Sequence, residues 1–196
     1  MSGRRLRESG VSLILAMLML VAIGLSSTVI LRNAASGAQV AGNHWFQTQA
    51  HQYAQLALRF CVDQLSLPVA TRAIALVPAP AGAAPAWSVV ANWSGRGAQA
   101  AHTLAGAEIG GPAPPRVPPQ CLAEATDTVG VYTVTARGFS ADFRAEAESG
   151  VTRSGAVAWL QATLLAQDAG TGSGCVADCG LVVRRRLWQQ LLTPPF

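Results

Sequence analysis

Four cysteines carry the most specific chemistry in this sequence. They stand at positions 61, 121, 175 and 179, and four cysteines allow three disulfide connectivities. We favour Cys61–Cys121, which would join a predicted helix to the start of a predicted sheet region, together with Cys175–Cys179, which would close a loop. Zinc sites use paired Cys or His ligands of the C-x2-C kind. Because "CVADC" has three intervening residues and no second pair follows, we predict no metal site.

Nucleophilic, acid–base and cofactor chemistry lack a recognisable motif. The sequence contains no G-x-S-x-G, no Cys–His nucleophile setting, no phosphate-binding glycine loop and no D-x-D-x-D calcium loop. His44, His51 and His102 are expected to be surface or packing residues, and "NWS" at 92–94 matches a glycosylation sequon as easily by chance as by design. We therefore expect no catalytic residues, no cofactor and no enzymatic activity.

Two charge clusters have both a structural and a functional interpretation. Asp142, Glu146 and Glu148 lie near a predicted strand turn, where they either form a solvated turn or bind a cation. The arginines at 184–186 lie in a strand pattern, so the outer two should share one face and the middle one the other. They either protect an edge strand by charge or contact an acidic partner subunit.

The overall charge argues against a nucleic-acid partner. The formal net charge is +4, and every basic residue is Arg. Without residues 1–10 the chain keeps 11 Arg against 9 acids, which is +2. Nucleic-acid binding needs a clustered basic face, so we expect no nucleic acid among the partners.

An uncharged apolar run at residues 11–31 predicts a membrane segment. Its 21 residues reach about 31 Å as a helix, close to the ~30 Å bilayer core. Basic residues precede the run, so the N-terminus should be cytoplasmic and the chain after Arg32 outside, in an oxidising compartment. A signal anchor is the simple interpretation, and "AASGA" leaves ordinary signal-peptide cleavage open.

The helix is predicted to continue beyond the membrane. Residues 32–67 contain no proline, and apolar residues recur with amphipathic helical spacing. One helix from about Val11 to Leu67 would be roughly 85 Å long. Gly24, Gly37 and Gly42 mark places where it could bend or open. The first half should face lipid, and the second half should pack on a domain.

The remaining residues, 68–196, are predicted to form a globular head. Nine of the eleven prolines fall between residues 68 and 119, so residues 68–128 are expected to be a Pro/Gly-rich connector with one short strand in "WSVVANWSG". Three β-branched or aromatic runs predict antiparallel strands at about 129–139, 154–166 and 180–192. The expected fold is α+β, with a long N-terminal helix packed on a small antiparallel sheet.

The leader resembles that of type IV prepilins. A basic stretch, "RRLRESG", ends at Gly10, and Val11 begins the apolar helix. The resemblance implies that residues 1–10 are removed by prepilin peptidase after Gly10 and that the new N-terminus, Val11, is methylated. The glutamate usual at the fifth mature position is replaced by Leu15. In lacking this glutamate the leader resembles the PilX-like branch of minor pilins, whose leaders often lack it. The resemblance implies a pilin-like fold.

The second part of the helix carries the same resemblance. "AGN" at 41–43, the Phe-Gln of "FQTQAHQYAQLALR" and its terminal Ala-Leu-Arg look like the PilX N-terminal pattern, and "GFSADFRAEAESGVTRSGAVAWLQ" looks like the C-terminal hairpin of these proteins. The resemblance implies a minor pilin that primes pilus assembly or sits near the tip, with Leu15, Gly24, Phe46 and Tyr53 packing in the filament. It implies inner-membrane lipid before assembly and then major pilin, other minor pilins and a large tip adhesin as partners, with a role in cell adhesion.

Two other interpretations stay open. The second is a type II secretion pseudopilin, which shares the leader and the helix. Only genome neighbourhood or a partner pull-down would distinguish it from a minor pilin. A membrane-anchored periplasmic binding domain that never assembles is the third, for which no cleavage at Gly10 is expected.

Overall fold

The structure, a computed structural model, describes residues 9–110, 115–146, 152–170 and 179–192, with side chains from Ser12 onward. The chain divides into two compact units, Met1–His44 and Trp45–Phe196. The elements of the described residues are helices α1 (Ser9–Leu65), α2 (Val90–Trp93) and α3 (Gly106–Ile109), a 3-10 turn (Ala86–Ser88), and strands β1 (Leu76–Val77), β2 (His102–Thr103), β3 (Gln120–Ala125), β4 (Val131–Phe139), β5 (Arg144–Ala145), β6 (Thr152–Ser154), β7 (Val157–Asp168) and β8 (Leu181–Gln190).

Helix α1 is 57 residues long and contains no proline. It ends two residues before the predicted end. The N–H groups of Ser66 and Leu67 donate to the carbonyls of Asp63 and Gln64, each at 3.1 Å, which tightens the last turn. Pro68 follows, and it disfavours the helical conformation at the residue before it.

In the second unit, one stripe of α1 packs on a β-sheet. Its fully buried members are spaced three or four residues apart, as one face of a helix requires, and they are mostly small: Ala50, Ala54, Ala57, Cys61 and Leu65, each 0% exposed. The amphipathic pattern predicted for this segment is confirmed, and small side chains let the helix approach the sheet closely.

The sheet has six strands in the order β1-β3-β4-β7-β8, and β2 also pairs with β3. The pairs β3–β4, β4–β7 and β7–β8 are antiparallel. Strands β4, β7 and β8 are the three that the sequence predicted. The wholly antiparallel sheet that we expected is wrong, because β1 pairs parallel to β3 with Leu76 opposite Ala123. The fold is therefore α+β with a mixed sheet.

Two further expectations for residues 68–128 are corrected. The region is not a connector alone, because it contains β1, β2 and β3. Strand β3, "QCLAEA", is buried on both faces at its four central positions, so it shows no apolar–polar alternation. The segment "WSVVANWSG", expected to be a strand, instead forms the 3-10 turn followed by α2. This conformation buries Trp93 against the rest of the head, and such packing can outweigh strand propensity.

The sheet carries a cluster on each face. The helix-side cluster packs α1 against alternate residues of the strands, including Cys121, Val134, Leu160 and Leu164. The outer cluster is centred on tryptophans and contains Val77, Ala86, Trp93, Leu122 and Trp159. Strands β5 and β6 form a separate two-stranded pair.

Candidate functional site

The first candidate surface is the apolar part of α1 in the first unit. Large apolar side chains from Leu13 to Leu31 are 54–69% exposed, so no core formed by the described residues covers them. Among the described residues, α1 is the one helix long and apolar enough to cross a membrane. An exposed apolar surface of this length is suited to contact with lipid or with other helices.

Polar groups inside this segment are satisfied within the helix. The hydroxyls of Ser26 and Ser27 donate to the carbonyls of Ala22 and Ile23 at 2.8 Å, and that of Thr28 donates to the Leu25 carbonyl at 2.8 Å. An unsatisfied hydroxyl is costly in an apolar medium. The segment can therefore enter a water-poor environment without leaving these hydroxyl donors unsatisfied.

The predicted filament-packing residues fall into two groups. Leu15 is 54% exposed, and a Cβ placed on Gly24 would meet nothing within 4 Å, so both are accessible. Phe46 and Tyr53 are half-buried, and Phe46 packs against the helix-side cluster of its own head. The predicted cleavage residues, Gly10 and Val11, lie in α1, before Ser12, where the described side chains begin.

A disulfide fixes α1 to the sheet. Cys61 and Cys121 are bonded, with their Cα atoms 6.3 Å apart, and this is the pairing favoured from the sequence. Both cysteines are fully buried in the helix-side cluster. Cys179 is also disulfide-bonded, whereas Cys175, its predicted partner, lies outside the described residues.

Sequence reasoning missed a close approach between the backbones of helix and sheet. A Cβ built on Gly138 of β4 would overlap the backbone of Ala50, Tyr53 and Ala54. Only glycine leaves room there for the helix. Glycine inside a strand pattern is the signal that could have identified this close approach.

Arg137, next to Gly138, is the centre of the outer face and was also missed. Its guanidinium carbon lies 5.1–5.4 Å from the ring centroids of Trp93, Phe139 and Trp159. The group donates to the Gln120 side-chain oxygen and to the Trp93 carbonyl, each at 2.6 Å. Burial lowers the pKa of Arg137 to about 10. Enclosed in this way, the cation holds the tryptophan layer on the sheet.

Glu124 is the buried acid of the same face and is 3% exposed. Its Oε2 accepts the Ala86 N–H at 2.7 Å, so it anchors the 3-10 turn. Burial raises the pKa of this carboxyl, while backbone N–H groups of Ala86 and Trp87 act in the opposite direction. Its role is structural, because both sides of its strand are covered.

The other polar residues singled out from the sequence occupy local contacts. His102 pairs with Glu108 at 3.1 Å and stacks on Phe60, and His51 contacts the Gln55 amide at 2.9 Å. Asn92 of the sequon is buried and donates to the Ala86 carbonyl at 2.8 Å. Its amide is therefore inaccessible to a glycosylating enzyme in this fold.

The acidic cluster is engaged within the head. Asp142 accepts the Ser140 hydroxyl at 2.6 Å, and Glu146 pairs with Arg153. Glu148 lies outside the described residues. Within the described ranges, no group of three His, Cys, Asp or Glu residues could hold a metal ion.

The arginine triplet lies on β8, which ends the sheet order among the described strands. Arg184, Arg185 and Arg186 are all exposed. Arg185 faces Leu165 and Arg186 faces Leu164 in the register with β7, but the register then shifts and Arg184 is left without a partner position. The predicted alternation therefore holds for Arg185 and Arg186 and is broken by the irregularity at Arg184.

No family model, curated protein or solved structure matches this chain.

Proposed function

We propose that this chain is a PilX-like minor pilin that takes part in assembling type IV pili, as a priming or tip-proximal subunit. The observation that carries the proposal is helix α1, whose first part exposes large apolar side chains from Leu13 to Leu31 and whose residues from Ala50 to Leu65 pack on an α+β head. A subunit of this form can be held in a membrane and then packed among other apolar helices.

The leader supports a particular mode of release. A basic stretch ends at Gly10, and the apolar run starts at Val11, so removal of residues 1–10 would keep the entire apolar helix. Ordinary signal cleavage beyond the run would discard the surface that the proposal requires.

The head supports the proposed orientation. A disulfide between Cys61 and Cys121 forms and persists in oxidising compartments, and the basic residues before the span favour a cytoplasmic N-terminus. Together they support a single-pass inner-membrane protein with a periplasmic head, which then moves into a filament.

Leu15 supports a low-copy position in the array. A carboxylate in an apolar helix bundle is costly unless it meets a cation, such as the terminal amine of a neighbouring subunit. Leu15 removes both the cost and that attraction, so this subunit need not recognise the amine of a subunit beyond it. We propose that it works by subunit packing with major and minor pilins, and with a large tip adhesin, and not by catalysis.

The experiment is an intact-mass and N-terminal measurement of the full chain expressed with and without prepilin peptidase. With the peptidase, the mature chain should begin at Val11 and carry one methyl group on its amine. Gly10→Val should block the change, whereas Gly3→Val, a matched substitution inside the leader, should not.

Two outcomes would count against the proposal. A chain from sheared filaments that still begins at Met1 contradicts prepilin processing and favours the unassembled anchor. A processed chain that copurifies with a secretion filament and not with pili would identify a type II secretion pseudopilin instead.

A further inference from the structure

Strand β8 combines exposure at a sheet edge with large apolar side chains. Its ten residues pair with β7, and no other strand among the described residues pairs with its far side. Leu187 is 71% exposed and Trp188 is 61% exposed. A purely protective edge is expected to present charge rather than a tryptophan and a leucine.

A groove borders β8 on each face of the sheet. The helix-side groove, about 200 Å³, is lined by Gln55, Leu58, Arg59, Leu160, Arg186 and Trp188. The outer groove, about 290 Å³, includes Leu165, Arg185, Leu187 and Trp188 in its walls. Trp188 lines both, so the two grooves meet at this edge strand.

Both grooves are positively charged. The helix-side groove brings together Arg59 of α1 and Arg186 of β8, and the outer groove contains Arg185. Within the described part of the chain, none of these three arginines forms an ion pair. Two guanidinium groups in one small groove repel each other until an anion lies between them.

We propose that β8 binds an extended acidic segment of another polypeptide, which adds a strand to the sheet edge. Alternate side chains of an added strand point to opposite faces. Acidic side chains on one face would then meet Arg59 and Arg186, and those on the other would meet Arg185. Main-chain hydrogen bonds would supply affinity, and the arginines would select acidic sequences.

A second copy of this chain fits the edge poorly. Two β8 strands paired edge to edge would bring two arginine triplets together, and like charges opposite one another destabilise a strand pair. The acidic hairpin of a copy is also a poor partner, since Asp142 accepts the Ser140 hydroxyl and Glu146 pairs with Arg153. The inference does not depend on pilus assembly, because it requires only an accessible β8.

The test is fluorescence anisotropy with the full chain in a non-ionic detergent at low salt. The probe is a labelled synthetic peptide as long as β8, ten residues, that repeats Glu-Glu-Val-Val, so that each face of the extended peptide carries glutamate. It should bind, and binding should weaken as salt rises. Arg59→Gln, Arg185→Gln and Arg186→Gln should each weaken it by about threefold, a loss typical of an exposed ion pair.

The controls separate strand addition from diffuse charge attraction. Arg116→Gln removes an exposed arginine outside both grooves and should leave the affinity unchanged. A lysine–valine peptide and a glutamate–valine peptide N-methylated along its backbone should both fail to bind. No binding of the unmethylated acidic peptide, equal binding of its N-methylated form, or an Arg116→Gln loss equal to that of Arg186→Gln would each overturn the proposal.

Discussion

Replacing Gly138 by alanine should destabilise the head, because this position sets the distance between α1 and β4. The added Cβ would overlap backbone atoms of Ala50, Tyr53 and Ala54. Backbone atoms cannot turn away as a side chain can, and the Cys61–Cys121 disulfide limits how far the helix can retreat. Overpacking of this kind costs about 1–3 kcal/mol.

The measurement is urea unfolding of the full chain in a non-ionic detergent. Tryptophan fluorescence and near-UV circular dichroism monitor the transition. The matched control is Gly42→Ala, since a Cβ at Gly42 meets nothing within 4 Å. Alanine is better than glycine inside a helix by about 1 kcal/mol, so this control should not lower the unfolding free energy.

A second substitution tests the stated cause of the loss. In the Gly138→Ala background, Ala54→Gly should not restore stability, because the nearest overlap is with the Ala54 backbone nitrogen, which glycine keeps. Rescue by Ala54→Gly, or an unchanged unfolding free energy in Gly138→Ala itself, would refute the proposed close approach of helix and strand.

The remaining predictions concern the disulfide and the buried acid. Cys61 and Cys121 are separated by 60 residues, so replacing both by alanine should lower the unfolding free energy by about 4 kcal/mol in the chain-entropy model; a change below about 1 kcal/mol would contradict it. Burial raises the pKa of Glu124, so the folded state holds this proton to higher pH than the unfolded state. Stability should therefore fall as the pH rises from the ordinary carboxyl pKa through the raised one. The same pH series on Glu124→Gln should lack this component, and two superimposable profiles would show that Glu124 is not its source.

The sequence predicts the parts of the fold whose signals are local. Helix α1 follows from a long proline-free stretch and a spacing of three and four, and its burial pattern at Ala50, Ala54 and Ala57 agrees. Strands β4, β7 and β8 follow from runs of β-branched and aromatic residues between turn signals. The sequence favours the Cys61–Cys121 pairing because it joins the predicted helix to the start of the predicted sheet region.

The remainder of the fold depends on contacts distant in sequence. Strand β3 consists of alanine, leucine, cysteine and polar residues and is covered on both faces, so neither propensity nor alternation identifies it. Trp93 forms part of a short helix because it packs edge-to-face on Trp159, with ring centroids 4.7 Å apart. Arg137 could not be placed from its sequence because its three aromatic neighbours come from α2, β4 and β7.

Under the proposed function, the apolar segment of α1 contributes mainly to affinity, and the exposed edge strand β8 contributes mainly to partner selectivity. The described part of the membrane segment contains no ionisable side chain from Ser12 to Leu31, and its hydroxyls are bonded within the helix. Apolar packing of such a segment is strong in sum but discriminates weakly between partners, because many helices present similar surfaces. Selection of a partner must then come from the head, where Arg185 and Arg186 lie on the exposed edge strand. Since charge complementarity excludes wrong partners more than it adds affinity, neutralising these arginines should change which partners the chain joins before it changes whether the chain is retained in the membrane.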